Sequence, residues 1–181
     1  MREGEPRLVV LRDGEMNGAV EAEIRRFLFD AFGGGFTEDD WEHTVGGDRV
    51  VVFADETPVA HGALVPRALR VGDHEFRAGY VEGVATAVGW QRRGFGGLVM
   101  TRLTSLVRAR FELGVLSTSR RSFYERFGWE SWRGPSYVIR DSDLVRTEDE
   151  DDGLMVLRFG PSAGVDLGSP IACHARQGDD W

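Results

Sequence analysis

The chain has 181 residues, 41% of them hydrophobic and 10% aromatic, enough for a substantial core; no linker marks off a second domain, so 1–181 is expected to form one domain. Thirty acidic against 22 basic residues give a net charge of −8, which disfavours nucleic acid and suits a cationic or neutral partner. No apolar run approaches the roughly 20 residues of a membrane span, and the opening MREGEPR lacks the apolar core of a leader peptide, so a cytoplasmic location is expected. The one cysteine, Cys173, excludes an internal disulfide. The four histidines (His43, His61, His74, His174) lack metal-ligand spacing, so no metal is expected.

Leu8-Val9-Val10-Leu11, within Arg7 to Arg12, reads as a short first strand. Val20, Ile24, Phe27, Leu28 and Ala31 recur at spacings of three and four, which predicts an amphipathic helix stopped by Gly33-Gly34-Gly35. Thr37 and Asp40 have the spacing of a capping box, with Asp in place of Glu, for a second short helix through Trp41 and His43 that Gly46-Gly47 ends. Val50 to Phe53 predicts a strand, Asp55-Glu56-Thr57-Pro58 a turn, Val59 to Val71 the return strand, and Gly72-Asp73 a second turn. Val81, Val84, Ala85 and Val88 then fit a buried strand. The chain turns through Gly89-Trp90 into Gln91-Arg92-Arg93-Gly94-Phe95-Gly96-Gly97, and Leu98, Leu103, Leu106 and Val107 follow as the apolar stripe of a long helix. Gly114 to Ser117 predicts a fifth strand, Ser119 to Phe127 a helix closed by Gly128, and Trp129 to Ile139 a sixth strand. Arg140 to Asp152 is polar and reads as a loop, Leu154 to Phe159 as a last strand, and 160–181 as an irregular tail. The expected class is α/β (α+β), with a mixed, mostly antiparallel central sheet flanked by helices.

A glycine loop between a strand and a helix N-terminus suits a phosphate. The first N–H groups of a helix have no internal partner, and the macrodipole makes that end positive. Gly94, Gly96 and Gly97 let a ligand approach the main chain, and Arg92 and Arg93 add charge. The loop is not a Walker motif, which needs Gly-Lys-Ser/Thr, nor a dinucleotide fingerprint, since no glycine stands two residues before Gly94. Gln-x-x-Gly-x-Gly alone also fits an ordinary glycine-rich turn that starts a helix.

Glu82 precedes this loop on a strand of mostly apolar residues. A carboxylate buried there would have a raised pKa suited to a general base, although a structural carboxylate paired with an arginine fits the position too. Tyr124, in Ser122-Phe123-Tyr124-Glu125-Arg126-Phe127-Gly128-Trp129, is placed to give a proton to a leaving group or else to fill a core. Cys173 has no local base and reads as an ordinary tail cysteine, which favours direct transfer over a covalent intermediate. Three acidic pairs, Asp39-Asp40, Asp151-Asp152 and Asp179-Asp180, would make a polycation pocket if the fold brought them to one place, and otherwise are solvated surface.

A strand followed by Gln91-x-x-Gly94-x-Gly96 and a helix resembles the acetyl-CoA pyrophosphate loop of the GCN5-related (GNAT) N-acetyltransferases. The element order is similar to that fold along the whole chain. Phe36-Thr37-Glu38-Asp39-Asp40-Trp41-Glu42-His43-Thr44, Gly79-Tyr80-Val81-Glu82-Gly83, Leu116-Ser117, Asp151-Asp152-Gly153 and Gly178-Asp179-Asp180-Trp181 narrow the resemblance to the aminoglycoside 2′-N-acetyltransferases. The resemblance implies that Asp40, Glu82, Gly83, Ser117, Asp151 (or Asp152, since the acidic run is longer here), Asp179 and Trp181 line the aminoglycoside site, which the tail 160–181 completes. It implies that Val84, Ala85 and Thr86 hold the thioester and pantetheine arm, and that Gln91, Arg92, Arg93, Gly94, Phe95, Gly96 and Gly97 hold the pyrophosphate of acetyl-CoA. Glu82 as base, Tyr124 as acid and a homodimer complete the implied picture. One residue departs from it: the family has an aspartate just before its Phe-Thr/Ser acidic motif, and this chain has Gly35. The expected activity is acetyl transfer to the 2′-amino group of an aminoglycoside. The alternatives are transfer to another cellular amine or amino sugar, or a non-catalytic acyl-CoA or drug-binding module.

Overall fold

The structure, a computed structural model, describes residues 5–181, so residues 1–4 of the opening stretch read against a leader peptide lie outside the described residues. The fold is mixed α/β, and the described chain forms two compact units: 5–65 with Val81–Leu103, and Pro66–Tyr80 with Thr104–Trp181. Among the described residues no helix is long and apolar enough to cross a membrane.

The first unit contains β1 (Arg7–Leu11), α1 (Gly18–Ala31), α2 (Glu38–His43) and β2 (Asp48–Ala54). It also holds the start of β3 (Thr57–Val71), the end of β4 (His74–Thr86) and the start of α3 (Phe95–Arg110). Asn17 begins α1 because its Oδ1 accepts from the N–H groups of Ala19 and Val20, which have no partner inside the helix. The apolar stripe expected from spacing then buries Ile24, Phe27 and Leu28 against Phe36, Trp41, Val51 and Phe53. A fully buried side chain of this size stabilises the fold by roughly 1.5–3 kcal/mol. Gly33 and Gly34 stop the helix with φ of +59° and +88°, whereas Gly35 is outside the left-handed region. The capping box of α2 forms as its spacing predicts: Asp40 N–H donates to Thr37 Oγ1, and Thr37 N–H donates to Asp40 Oδ2.

All seven residues of β2 are buried, and the strand pairs antiparallel with β1 and β3. The turn after it is shorter than the expected Asp55-Glu56-Thr57-Pro58: it is Asp55-Glu56, with Asp55 at φ +53°, and Thr57 and Pro58 belong to β3. Pro58 has no N–H for the ladder, and a register shift beside it, where Val52 faces Ala60 but Phe53 faces Pro58, accommodates it. Val88 is not a strand residue. The Ala87 N–H still bonds Val59 O, but Trp90 N–H turns back to Ala87 O, leaving Val88 80% exposed in a single 3-10 turn.

In the second unit the sheet runs β6 (Glu130–Ser131), β9 (Leu154–Arg158), β5 (Leu113–Ser117), β4, β3, β10 (Ile171–His174), β7 (Ser136–Arg140), β8 (Asp143–Arg146). Among the described residues β4 pairs with β5, and β10 with β7, in parallel, whereas β10 with β3, β5 with β9, β6 with β9 and β7 with β8 are antiparallel. The expected sixth strand is broken into β6 and β7. Pro135 cannot donate to a ladder, and the N–H groups of Arg133 and Gly134 go to Leu167 O instead. Gly134 is packed so closely that an added Cβ would lie 1.9 Å from Ser169 O.

Four more expectations change here. Arg140 to Asp152 is not a plain loop: Asp141 and Ser142, at φ +47° and +78°, make a tight hairpin turn into β8, and a 3-10 turn covers Glu148–Glu150. The helix after β5 is α4, Arg121–Glu125, shorter than expected. Phe127 and Gly128 N–H bond back three residues to Tyr124 O and Glu125 O, and Gly128 leaves with φ +86°. The tail is not irregular throughout, since β10 is inserted between β3 and β7. Cys173, expected to be an ordinary tail cysteine, is a fully buried strand residue whose thiol donates to Asp180 O and whose pKa burial raises to about 11.

Candidate functional site

In the first unit β4 ends at Thr86, and the side chain of Gln91 ties the loop back to it by donating to Thr86 O at 3.2 Å. Gly94, at φ +90°, opens α3, and an added Cβ would meet nothing within 4 Å, so space lies in front of the helix start. The first intrahelical bond runs from Leu98 N–H to Gly94 O. The N–H groups of Phe95, Gly96 and Gly97 come before it and have no acceptor within the helix. Arg92 is exposed in a left-handed conformation, φ +61°, and the Arg93 guanidinium lies 4.1 Å from the Trp90 ring centroid. The loop and helix thus present amide donors, positive charge and an open approach, the requirements of a pyrophosphate site.

Glu82, Gly83, Val84, Ala85 and Thr86 lie on the same stretch of β4, upstream of that loop. Glu82 is half-buried, not buried as its apolar neighbours suggested, because the strand is enclosed only as far as Val81. Gly83 breaks the extended backbone with φ +56°, and its carbonyl oxygen takes a 2.8 Å hydrogen bond from the His61 ring. His61 is fully buried and is bonded in turn to the buried Arg49. Sequence reading singled out neither Arg49 nor His61 for the site. A histidine inside the apolar run of the return strand, and an arginine directly before Val50 to Phe53, were the only signal. Asp40, on α2, spends one carboxylate oxygen on Thr37.

The second unit brings Ser117, at the exposed end of β5, next to Gly153, where an added Cβ would lie 2.8 Å from Ser117 Oγ. Thr118 N–H donates to Gly153 O, and the Thr118 side chain bonds to Tyr124. Tyr124 is 9% exposed on α4; burial raises its pKa, opposed by that hydrogen bond and by the charge of Arg120.

The acidic segments of this unit converge in part. Glu150 has a raised pKa, from burial and then from the charges of Asp179, Asp149 and Asp180. Asp152 is exposed, 3.4 Å from Arg121. Asp151 is taken up by the fold: Oδ1 accepts from Ser136 N–H, Ser136 Oγ and Arg146 Nη1, and Oδ2 accepts from Arg146 Nη2. Hydrogen bonding to Arg146 leads the pull that brings its pKa to about 2. Asp180 anchors the tail through Arg140 and the Arg176 N–H, while Asp179 is exposed. Trp181 is 3% exposed in the core of this unit, its indole N–H donating to Thr147 Oγ1 at 3.2 Å, so its ring holds the tail down. Glu150 and Arg146 were missed as individual residues because the acidic run and its surroundings read as a loop.

Residues 11–132 match the acetyltransferase (GNAT) domain model. An aminoglycoside 2′-N-acetyltransferase from Mycolicibacterium fortuitum is 38% identical over 176 residues, covering 95% of this chain and 90% of that protein. The chain belongs to the GNAT acetyltransferase family. This acetyltransferase has the fold of a GNAT family N-acetyltransferase from Escherichia coli solved in complex with CoA, with a TM-score of 0.66 and 14% identity across 96% of this chain and 93% of that one. A GNAT family acetyltransferase from Brucella melitensis in complex with acetyl-CoA gives a TM-score of 0.62 and 19% identity, across 93% and 97%. Some other matched structures are larger proteins, of whose length the chain spans about a third.

Proposed function

We propose that the chain is an aminoglycoside 2′-N-acetyltransferase that uses acetyl-CoA. The observation that carries this is the 38% identity along 95% of the chain to an enzyme of that name. The open amide-lined start of α3 fits the pyrophosphate, held by Gln91 to Gly97, and Val84, Ala85 and Thr86 would bind the pantetheine arm and thioester. When bound, acetyl-CoA supplies the activated acetyl group.

Glu82 takes a proton from the substrate ammonium, directly or through water, so that the neutral amine can attack, and its half-buried position leaves it reachable. The N–H of Val84 stabilises charge developing on the thioester oxygen. Tyr124, whose raised pKa keeps it protonated at neutral pH, gives its proton to the departing thiolate. Ser117, Asp40, Gly83 and the exposed Asp152 and Asp179 contribute to the aminoglycoside site. The negative field felt by Glu150 suits a polycation. Asp151 and Trp181 contribute by holding the tail and the acidic turn in place. Capping one ammonium as an amide removes a charge that the drug uses against RNA phosphates, so resistance follows. We place the enzyme in the cytoplasm, as one catalytic domain that pairs as a homodimer.

Thiol release from acetyl-CoA, measured with a panel of aminoglycosides and simple amines, tests the reading, with NMR of the product to locate the new amide. Release with simple amines but no aminoglycoside would sink the substrate assignment. No release with any amine would sink the transfer itself.

A further inference from the structure

Arg49, on β2, is 1% exposed, yet its contacts among the described residues include no carboxylate. Nη2 donates to Thr44 Oγ1 at 2.8 Å, Nη1 donates to His61 Nε2 at 3.1 Å, and the guanidinium lies 4.5 Å from the Trp41 ring centroid. Its Nε has no hydrogen-bond acceptor. Burial lowers its pKa to about 10, opposed by the charge of Glu21, so it stays a cation at neutral pH. A cation buried without a carboxylate in contact costs stability through desolvation and sets up a strong local field.

A guanidinium only donates, so its contact fixes His61 Nε2 as an acceptor and leaves the ring proton on Nδ1. That proton is donated to Gly83 O at 2.8 Å. Burial, and then the charge of Arg49, lower the His61 pKa to about 3 against the opposing pull of Gly83 O, so the ring is neutral. Gly83 suits the arrangement: at φ +56°, an added Cβ would be strained and would sit 3.3 Å from Thr44 Cγ2 and 3.6 Å from His61 Cε1. A directed chain therefore runs from Arg49 through His61 to the carbonyl of the peptide that joins Gly83 to Val84.

We infer that Arg49 and His61 are positioning residues that polarise the Gly83–Val84 peptide, so that the N–H of Val84 donates more strongly to the acetyl thioester oxygen. The inference rests on the acetyl-transfer reading above. A hydrogen bond to the carbonyl of an amide draws electron density from its nitrogen, and bonds in such a chain strengthen each other by about 10–30%. Removing an oxyanion donor costs about 10²–10³ in kcat, so weakening one is expected to cost about tenfold.

Three variants separate the parts. His61→Leu removes the donor to Gly83 O. His61→Asn keeps a carboxamide N–H near the place of Nδ1 but withdraws from Arg49. Arg49→Met removes the charge and leaves the ring. For each, acetyl-CoA affinity is measured by calorimetry, kcat and KM by thiol release, and the bound carbonyl by isotope-edited infrared spectroscopy of [1-¹³C]acetyl-CoA. The expected result is acetyl-CoA affinity within about twofold of the parent, kcat down about tenfold in His61→Leu and less in the other two, and loss of the thioester carbonyl downshift in the same order. A folded His61→Leu or Arg49→Met protein with the parent kcat and the parent carbonyl band overturns the inference. So does affinity falling in step with kcat while the band is unmoved, which marks a purely structural role. If His61→Leu does not fold, Arg49→Met decides. Absence of acetyl-CoA binding or thiol release in the parent itself instead overturns the acetyl-transfer reading, and this inference with it.

Discussion

The buried neutral His61 makes a quantitative claim about acid stability. In the folded protein its pKa is lowered from 6.5 to about 3, mainly by burial, while in the unfolded chain it returns to the ordinary value. Between these limits the unfolded chain binds a proton that the folded one refuses, so the stability contributed by the neutral ring is complete above pH 6.5 and is lost progressively as the pH falls toward 3. At pH 5 the loss is about 2 kcal/mol, from roughly 1.4 kcal/mol per pH unit over one and a half units. That is a large share of the 5–15 kcal/mol typical of a domain. The perturbation is His61→Asn, which cannot titrate. Urea unfolding at pH 8 and pH 5, with linear extrapolation, gives the stability of each protein. His61→Asn is expected to be less stable than the parent at pH 8 but to lose about 2 kcal/mol less on going to pH 5. Other groups titrate in both proteins and cancel in the difference. Parallel losses in the two proteins would refute the claim that the ring is held neutral by burial and by Arg49.

Gly94→Glu forces a side chain onto a backbone at φ +90° and sets bulk and negative charge at the mouth of α3, so acetyl-CoA affinity by calorimetry should fall at least about tenfold; unchanged affinity in a folded protein would remove the loop from the cofactor site. Glu82→Gln should lower turnover by roughly 10²–10⁴, and a near-normal rate at neutral pH would rule out its role as base. Gly35→Asp meets no backbone obstacle, since Gly35 lies outside the left-handed region and an added Cβ would be 3.4 Å from Phe32 O. Thermal stability should therefore hold. At least one aminoglycoside should bind several-fold more tightly, because a charge-assisted bond contributes about 1.5–3 kcal/mol when well placed. No gain with any tested aminoglycoside would show that position 35 does not face the substrate.

The sequence by itself determined the elements whose signals are local. The spacing of Val20, Ile24, Phe27, Leu28 and Ala31 specified a helix with one apolar face, and α1 buries that face; Thr37 and Asp40 specified a capping box, and both its hydrogen bonds form. The glycine loop after β4 was legible for the same reason, since what makes it open to a ligand is the backbone freedom of Gly94 and the unpaired amides of its own helix. Tertiary structure decided whatever depends on partners distant in the chain. Four residues, Ile171–His174, carry too little pattern to announce a strand, and they become one because β3 and β7 leave a place between them whose N–H and C=O groups need pairing. The split of Trp129 to Ile139 depends on Leu167 O and Ser169 O. Asp151 and Asp152 look alike in sequence, yet Arg146 neutralises the first, to which Ser136 also donates, and the second is exposed. Arg49 and His61 are the clearest case: in sequence one only precedes an apolar run and the other only interrupts one, and their role arises when the strands pair and both side chains are buried near Gly83. Burial in the folded core, absent from any local pattern, removes the water that would otherwise satisfy them and makes each the other's hydrogen-bond partner.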